Sequence, residues 1–141
     1  MNALVIFAIL LYHPAGWHGQ TIPLASQVQV GPDFSAPVVY GTWLDELPMT
    51  PADVMQVNFL DTVGIMAHNG LAGTQFHDFK RGESVWLTDR DGDTRKFILT
   101  KSMTQSALMR PYRLTVYDIV FITCADSTGE RVLIWIGMET H

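Results

Sequence analysis

The chain has 141 residues, of which 48% are hydrophobic and only 16% charged. A core of this size buries roughly two-thirds of the surface that the unfolded chain exposes, so a single domain is expected and a disordered chain is excluded. The 9 basic and 14 acidic residues leave a net charge of -5 with no basic run, which gives phosphate-contacting nucleic-acid binding little support.

Residues 1–19 form an apolar N-terminal segment. The unbroken run Ala3 to Tyr12 is shorter than the roughly 20 residues of a membrane-spanning helix. Its length suits the apolar region of a signal peptide or the remnant of an anchor, although no Lys or Arg precedes it. A buried first strand is the alternative. The export reading is favoured, and with it an extracytoplasmic, cell-surface or membrane-associated location.

Residues 20–141 read as the folded domain. Gln27-Val28-Gln29-Val30 alternates polar and apolar as a half-buried strand does, Gly31-Pro32-Asp33 is a turn signal, and Ala36 to Tyr40 reads as a second strand. Thr50-Pro51-Ala52-Asp53 predicts the start of a short helix, with Thr50 as its cap and Pro51 in the first turn. Thr62 to Ala67 is a buried strand that delivers His68 and Asn69 to its end. Residues 70–80 predict a loop and a helical turn, with Phe76 and Phe79 inward. Ser84 to Thr88 and Lys96 to Thr100 are strand-like and flank the Asp91-Gly92 turn. Tyr117 to Thr123 is a buried strand ending at Cys124, and Arg131 to Ile136 is the last strand. Seven or eight short strands with little helix indicate an all-β barrel or sandwich.

Cys124 is the single cysteine, so it makes neither an internal disulfide nor a thiolate zinc cluster. It is either a small buried hydrophobe or a reactive thiol. Its place where an apolar strand gives way to the polar Ala125-Asp126-Ser127 suits a presented nucleophile, which needs a cationic neighbour to ionise near neutral pH. Arg131, seven residues on, would lie opposite or nearly so if the two strands pair antiparallel. Taken singly, Arg131 is a solvated strand end and His68 a hydrogen-bonded histidine. Together the three supply a nucleophile, an acid/base and an electrophile holder, each at a strand boundary.

These segments resemble the sortase family. Val63 to Asn69 is similar to the sortase strand that ends in the catalytic His, and Phe76 followed by Gly82-Glu83-Ser84-Val85 resembles the segment after it. Phe121-Ile122-Thr123-Cys124 resembles the TLxTC nucleophile motif, with Phe in place of Leu. Arg131-Val132-Leu133-Ile134 resembles the strand carrying the catalytic Arg. The resemblance runs over about residues 62–135 and implies a closed β-barrel of about eight strands with one or two short helices. It implies a cysteine transpeptidase in which Cys124, His68 and Arg131 are catalytic and Asn69 and Thr123 contact substrate. The implied partners are an LPxTG-like sorting signal of secreted proteins and an amine acceptor, and no cofactor or metal is required. The loop between Cys124 and Arg131 is short and lacks the proline often found after the Cys. A catalytically silent peptide-binding or structural module is therefore an alternative, as is a cysteine hydrolase.

The remaining features read as ordinary structure. Asp89-x-Asp91-Gly92-Asp93 resembles a calcium loop, but its twelfth position is Thr100 rather than Glu, so a hairpin turn is expected. His77-Asp78 reads as a surface pair, and His13 and His18 make a poor metal set.

Overall fold

A computed structural model describes residues 22–41, 47–107 and 114–141; the apolar segment 1–19 lies outside the described residues. The strands are β1 (Ala25–Val30), β2 (Phe34–Tyr40), β3 (Val54–Phe59), β4 (Thr62–Met66), β5 (Ser84–Asp89), β6 (Thr94–Ser106), β7 (Ile119–Cys124) and β8 (Arg131–Glu139), with one 3₁₀ helix, Ala72–Asp78, between β4 and β5. They close into a barrel in the order β1-β2-β3-β4-β7-β8-β6-β5. The β2–β3 and β4–β7 pairs are parallel and the others antiparallel. The expected closed, mainly β barrel of eight strands is thus observed.

Alternation along each strand divides the apolar residues into two layers. Every strand contributes to the inner one, including Val28, Phe34, Val54, Ile65, Val85, Phe97, Phe121 and Trp135. The outer layer lies on β3, β4, β7 and β8, with Phe59, Met66, Val120, Ile122, Val132 and Ile134, and Leu47, Ala107 and Leu114 cover it from the connections. On β6 a bulge between Leu99 and Lys101 switches faces, so Leu99 points into the barrel while Met103 joins the outer layer. Because both faces of β4, β7 and β8 are covered, their central residues read as nearly continuous apolar runs, while β3, covered likewise, carries the buried Gln56.

The helix predicted at Thr50 does not form. Thr50 and Asp53 do exchange capping bonds, the Asp53 N–H reaching Thr50 Oγ1 at 3.3 Å and the Thr50 hydroxyl reaching Asp53 Oδ2 at 2.8 Å. The chain then enters β3, which pairs with β2 on one side and β4 on the other. Two ladders and two buried faces outweigh a local cap, whose worth is only about 1 kcal/mol.

The β3–β4 hairpin turns through Leu60 and Asp61, and Leu60 takes a positive φ of 56°. A left-handed leucine costs about 1–2 kcal/mol, and this side chain is exposed, so little packing offsets the strain. Leu60→Asn is expected to raise stability by about 0.5–1 kcal/mol, read from the urea unfolding midpoint at unchanged slope.

The 3₁₀ helix is held to the barrel end by aromatic packing. Phe76 stacks on Phe79 with centroids 5.2 Å apart and meets Phe34 and Phe121 edge-on at 5.8 and 5.5 Å. The Trp135 indole N–H donates to the Phe76 carbonyl at 2.8 Å in a buried setting. Gly73 permits the close approach: a Cβ there would lie 2.7 Å from the His68 carbonyl, 2.8 Å from that of Ala67, and against the Thr123 hydroxyl.

Candidate active site

The parallel β4–β7 pair brings His68 and Cys124 to the same end of the barrel. Met66 pairs with Ile122, and the Ala67 N–H donates to the Ile122 carbonyl at 3.3 Å. The paired ladder ends there, with His68 two residues beyond Met66 and Cys124 two residues beyond Ile122. Cys124 shares the parity of Val120 and Ile122 and so belongs to the outer face of β7, while His68 lies past the end of β4.

Across β7 the antiparallel partner of Cys124 is Val132. Arg131 is one residue out of that pair and faces Ala125, whose N–H donates to the Arg131 carbonyl at 2.9 Å. The Arg131 side chain is exposed at the rim, where its guanidinium donates to the Thr104 carbonyl at 2.9 Å. The intervening loop is stiffened from within. Asp126 Oδ1 accepts the hydroxyl and N–H of Thr128 at 2.6 and 2.9 Å, and Thr128 Oγ1 accepts the Glu130 N–H at 3.2 Å. These bonds, with Arg131 nearby, hold the Asp126 carboxyl below its ordinary range.

Cys124 lies at the strand end, as expected, but it is fully buried rather than presented. The expectation of an accessible thiol came from its polar sequence neighbours, which say nothing about what the rest of the chain lays over a strand end. His68 is half-buried, and burial lowers its pKa below the ordinary histidine value, so the neutral imidazole predominates at pH 7. The unfolded chain then takes up this proton more readily than the native one, and stability should fall as pH drops through about 6.5. The decline in urea midpoint between pH 7.5 and 5.5 is expected to be smaller in His68→Gln than in the parent.

Asn69 is partly exposed beside His68. Thr123 is fully buried, and its hydroxyl is the one buried side-chain polar atom without a hydrogen-bond partner among the described residues. It faces Gly73, on the inner side of β7. His77, read from sequence as a surface residue, is exposed, yet its Nε2 lies 3.2 Å from the Cys124 carbonyl and donates to it. No sequence signal pairs these two residues, which lie 47 positions apart.

The Asp89 segment is a hairpin turn, as expected. Asp89 Oδ1 accepts the N–H groups of Asp91 and Asp93 at 2.9 and 3.0 Å, and Gly92 takes a φ of 89°. Among the described residues no three His, Cys, Asp or Glu side chains gather to hold a metal. None of the described helices is long and apolar enough to cross a membrane.

As a sequence, the chain matches no protein-family model and no curated protein. As a fold, it superimposes on sortase A from Corynebacterium diphtheriae with a TM-score of 0.65 at 17% identity, over 84% of this chain and 61% of that one. Sortase C from Clostridium perfringens with the C-terminal cell wall sorting motif gives 0.66 at 17% identity, over 84% and 71%. Listeria monocytogenes sortase A gives 0.63 at 18%, over 85% and 89%. The chain has the sortase fold. It spans less than two-thirds of the Corynebacterium protein, and at these identities the likeness establishes the fold, leaving chemistry to be argued from residues. In this sortase-type barrel, the ends of β4 and β7 and the head of β8 lie at one rim, but Arg131 has the parity of Leu133 and Trp135, so it leaves β8 on the face opposite to that of Cys124.

Proposed function

We propose that the protein is a sortase-like cysteine transpeptidase. The observation that carries this reading is the parallel β4–β7 pairing, which runs the segments leading to His68 and to Cys124 toward the same end of the barrel. The Cys124 thiolate attacks the carbonyl carbon of a Thr-Gly-type bond in an LPxTG-like sorting signal. His68, in the minor fraction that carries the imidazolium at pH 7, gives a proton to the departing amine, and a thioacyl link to Cys124 remains. The acceptor amine then attacks that link, His68 takes its proton, and the Cys124 thiolate leaves, which restores the starting pair. Arg131 stabilises the oxyanion at each tetrahedral stage. Asn69 lies along the substrate's path. Thr123 is proposed to support the site from beneath, its hydroxyl lying against Gly73 on the inner side of β7.

Sorting-signal peptides and an amine acceptor are the proposed partners, and the extracytoplasmic side of a membrane is the proposed site of action. The Clostridium perfringens neighbour, whose structure includes a cell wall sorting motif, supports a peptide substrate. The test is incubation of a labelled LPxTG-type peptide with an amine. Ligated product from the parent and none from Cys124→Ala is expected.

The complete burial of Cys124 favours a second reading, a peptide-binding or structural module on the same fold. Peptide bound without turnover, with the thiol inert to alkylation in its presence, would select that module. Cleaved peptide with no ligated product at any amine concentration would select a hydrolase.

A further inference from the structure

We propose that His77 is a positioning residue for Cys124, holding the end of β7 through the Cys124 carbonyl; this rests on Cys124 being the nucleophile. Hydrogen bonding in an antiparallel pair alternates, and the Ala125 N–H to Arg131 carbonyl bond makes that pair a bonded one. The next pair, Cys124 with Val132, is therefore a non-bonded one. The Cys124 carbonyl must then point away from β8 and toward β4, as the Ile122 carbonyl does when it accepts the Ala67 N–H.

In an extended parallel ladder, the next donor along β4 would be the N–H of Asn69. But β4 ends at Met66, and the chain turns at His68, whose carbonyl accepts the N–H groups of Leu71 at 3.1 Å and Gly73 at 3.0 Å. The 3₁₀ helix grown from that turn returns over the same spot, and His77 supplies the donor that the strand no longer offers. A carbonyl oxygen can only accept, so Nε2 carries the hydrogen, in the neutral ring and the imidazolium alike. The neighbouring residue, Phe76, is fixed by Trp135, so the ring is borne on an element already locked to β8. The main chain at Cys124 is thereby tied to β8 through its neighbour Ala125 and to the helix through His77. A displacement of about 1 Å at a reacting group costs on the order of 100-fold in rate, which is the scale on which such a tie matters.

The test compares His77→Leu, His77→Gln and His77→Asn with the parent in two assays, peptide–amine ligation and alkylation of Cys124 by iodoacetamide. Gln places an amide N–H near the position of Nε2, Asn is too short, and Leu has no donor. The expected result is that Leu and Asn lower kcat by about 10- to 100-fold with KM within about twofold, and that Gln restores most of the loss. Loosening the end of β7 should also let iodoacetamide reach the covered thiol faster in Leu and Asn than in Gln or the parent. Parent-like behaviour of His77→Leu in both assays would overturn the proposal. So would equal loss in Gln and Leu, which would mean that the imidazole itself is needed. If His77→Leu does not fold, the Gln–Asn pair decides alone. If the parent ligates no peptide while alkylation still follows the donor series, the transpeptidase reading fails and the positioning of the thiol stands.

Discussion

Arg131→Ala is expected to lower kcat/KM for peptide–amine ligation by about 100- to 1,000-fold, the usual cost of removing one donor from an oxyanion site. Arg131→Lys should recover little. The three N–H groups of an ammonium diverge from one nitrogen, so with that nitrogen held at the Thr104 carbonyl they lack the reach of the separate nitrogens of the planar guanidinium. The thermal midpoint should move little in either variant, because the side chain is exposed and bonds to the Thr104 carbonyl at the barrel rim. This separation of activity from stability is the informative part. A kcat/KM within about threefold of the parent in Arg131→Ala would remove Arg131 from the mechanism. It would leave the exposed arginine as the solvated strand end that its sequence position also allows.

Phe76→Ala should cost about 3–5 kcal/mol of folding stability, a large share of the roughly 5–15 kcal/mol available to a domain. Phe76 has no exposed surface and contacts Phe34, Phe79 and Phe121, so its removal leaves a cavity bounded by β2, β7 and the 3₁₀ helix. Rings held edge-on by several partners cannot collapse into that space without losing their own contacts. Chemical unfolding measures the loss. Because the same helix carries His77, Phe76→Ala should also speed alkylation of Cys124 under conditions where the variant remains folded. A loss below about 1 kcal/mol would mean that the helix is not anchored through this ring.

The β elements were legible where one physical signal dominated. Gln27 to Val30 alternates, Asp91-Gly92 forms the turn between β5 and β6, and the apolar runs leading to His68 and Cys124 are strands buried on both faces. β3 was hidden because Met55, Gln56 and Val57 are all buried, so no alternation appears, while Thr50 and Asp53 carry a genuine helix-capping signal. The extension of β6 to Ser106 depends on a bulge that switches faces, which breaks the period that a sequence reading follows.

The residues alone place His68, Cys124 and Arg131 at the ends or starts of strands, because strand boundaries are written in local apolar runs and turn residues. They also supply the order of those strands and the composition of a barrel with an apolar core. Only the tertiary structure decides which boundaries become neighbours. The parallel pairing of β4 and β7 brings the segments that lead to His68 and Cys124 to one end of the barrel, and the one-residue offset of Arg131 follows from the length of the β7–β8 loop. The burial of Cys124 and the contact from His77 arise from connections laid over a strand end by packing between distant segments. Local sequence carries no record of such packing, because the free energy that selects it is shared among many residues far apart in the chain.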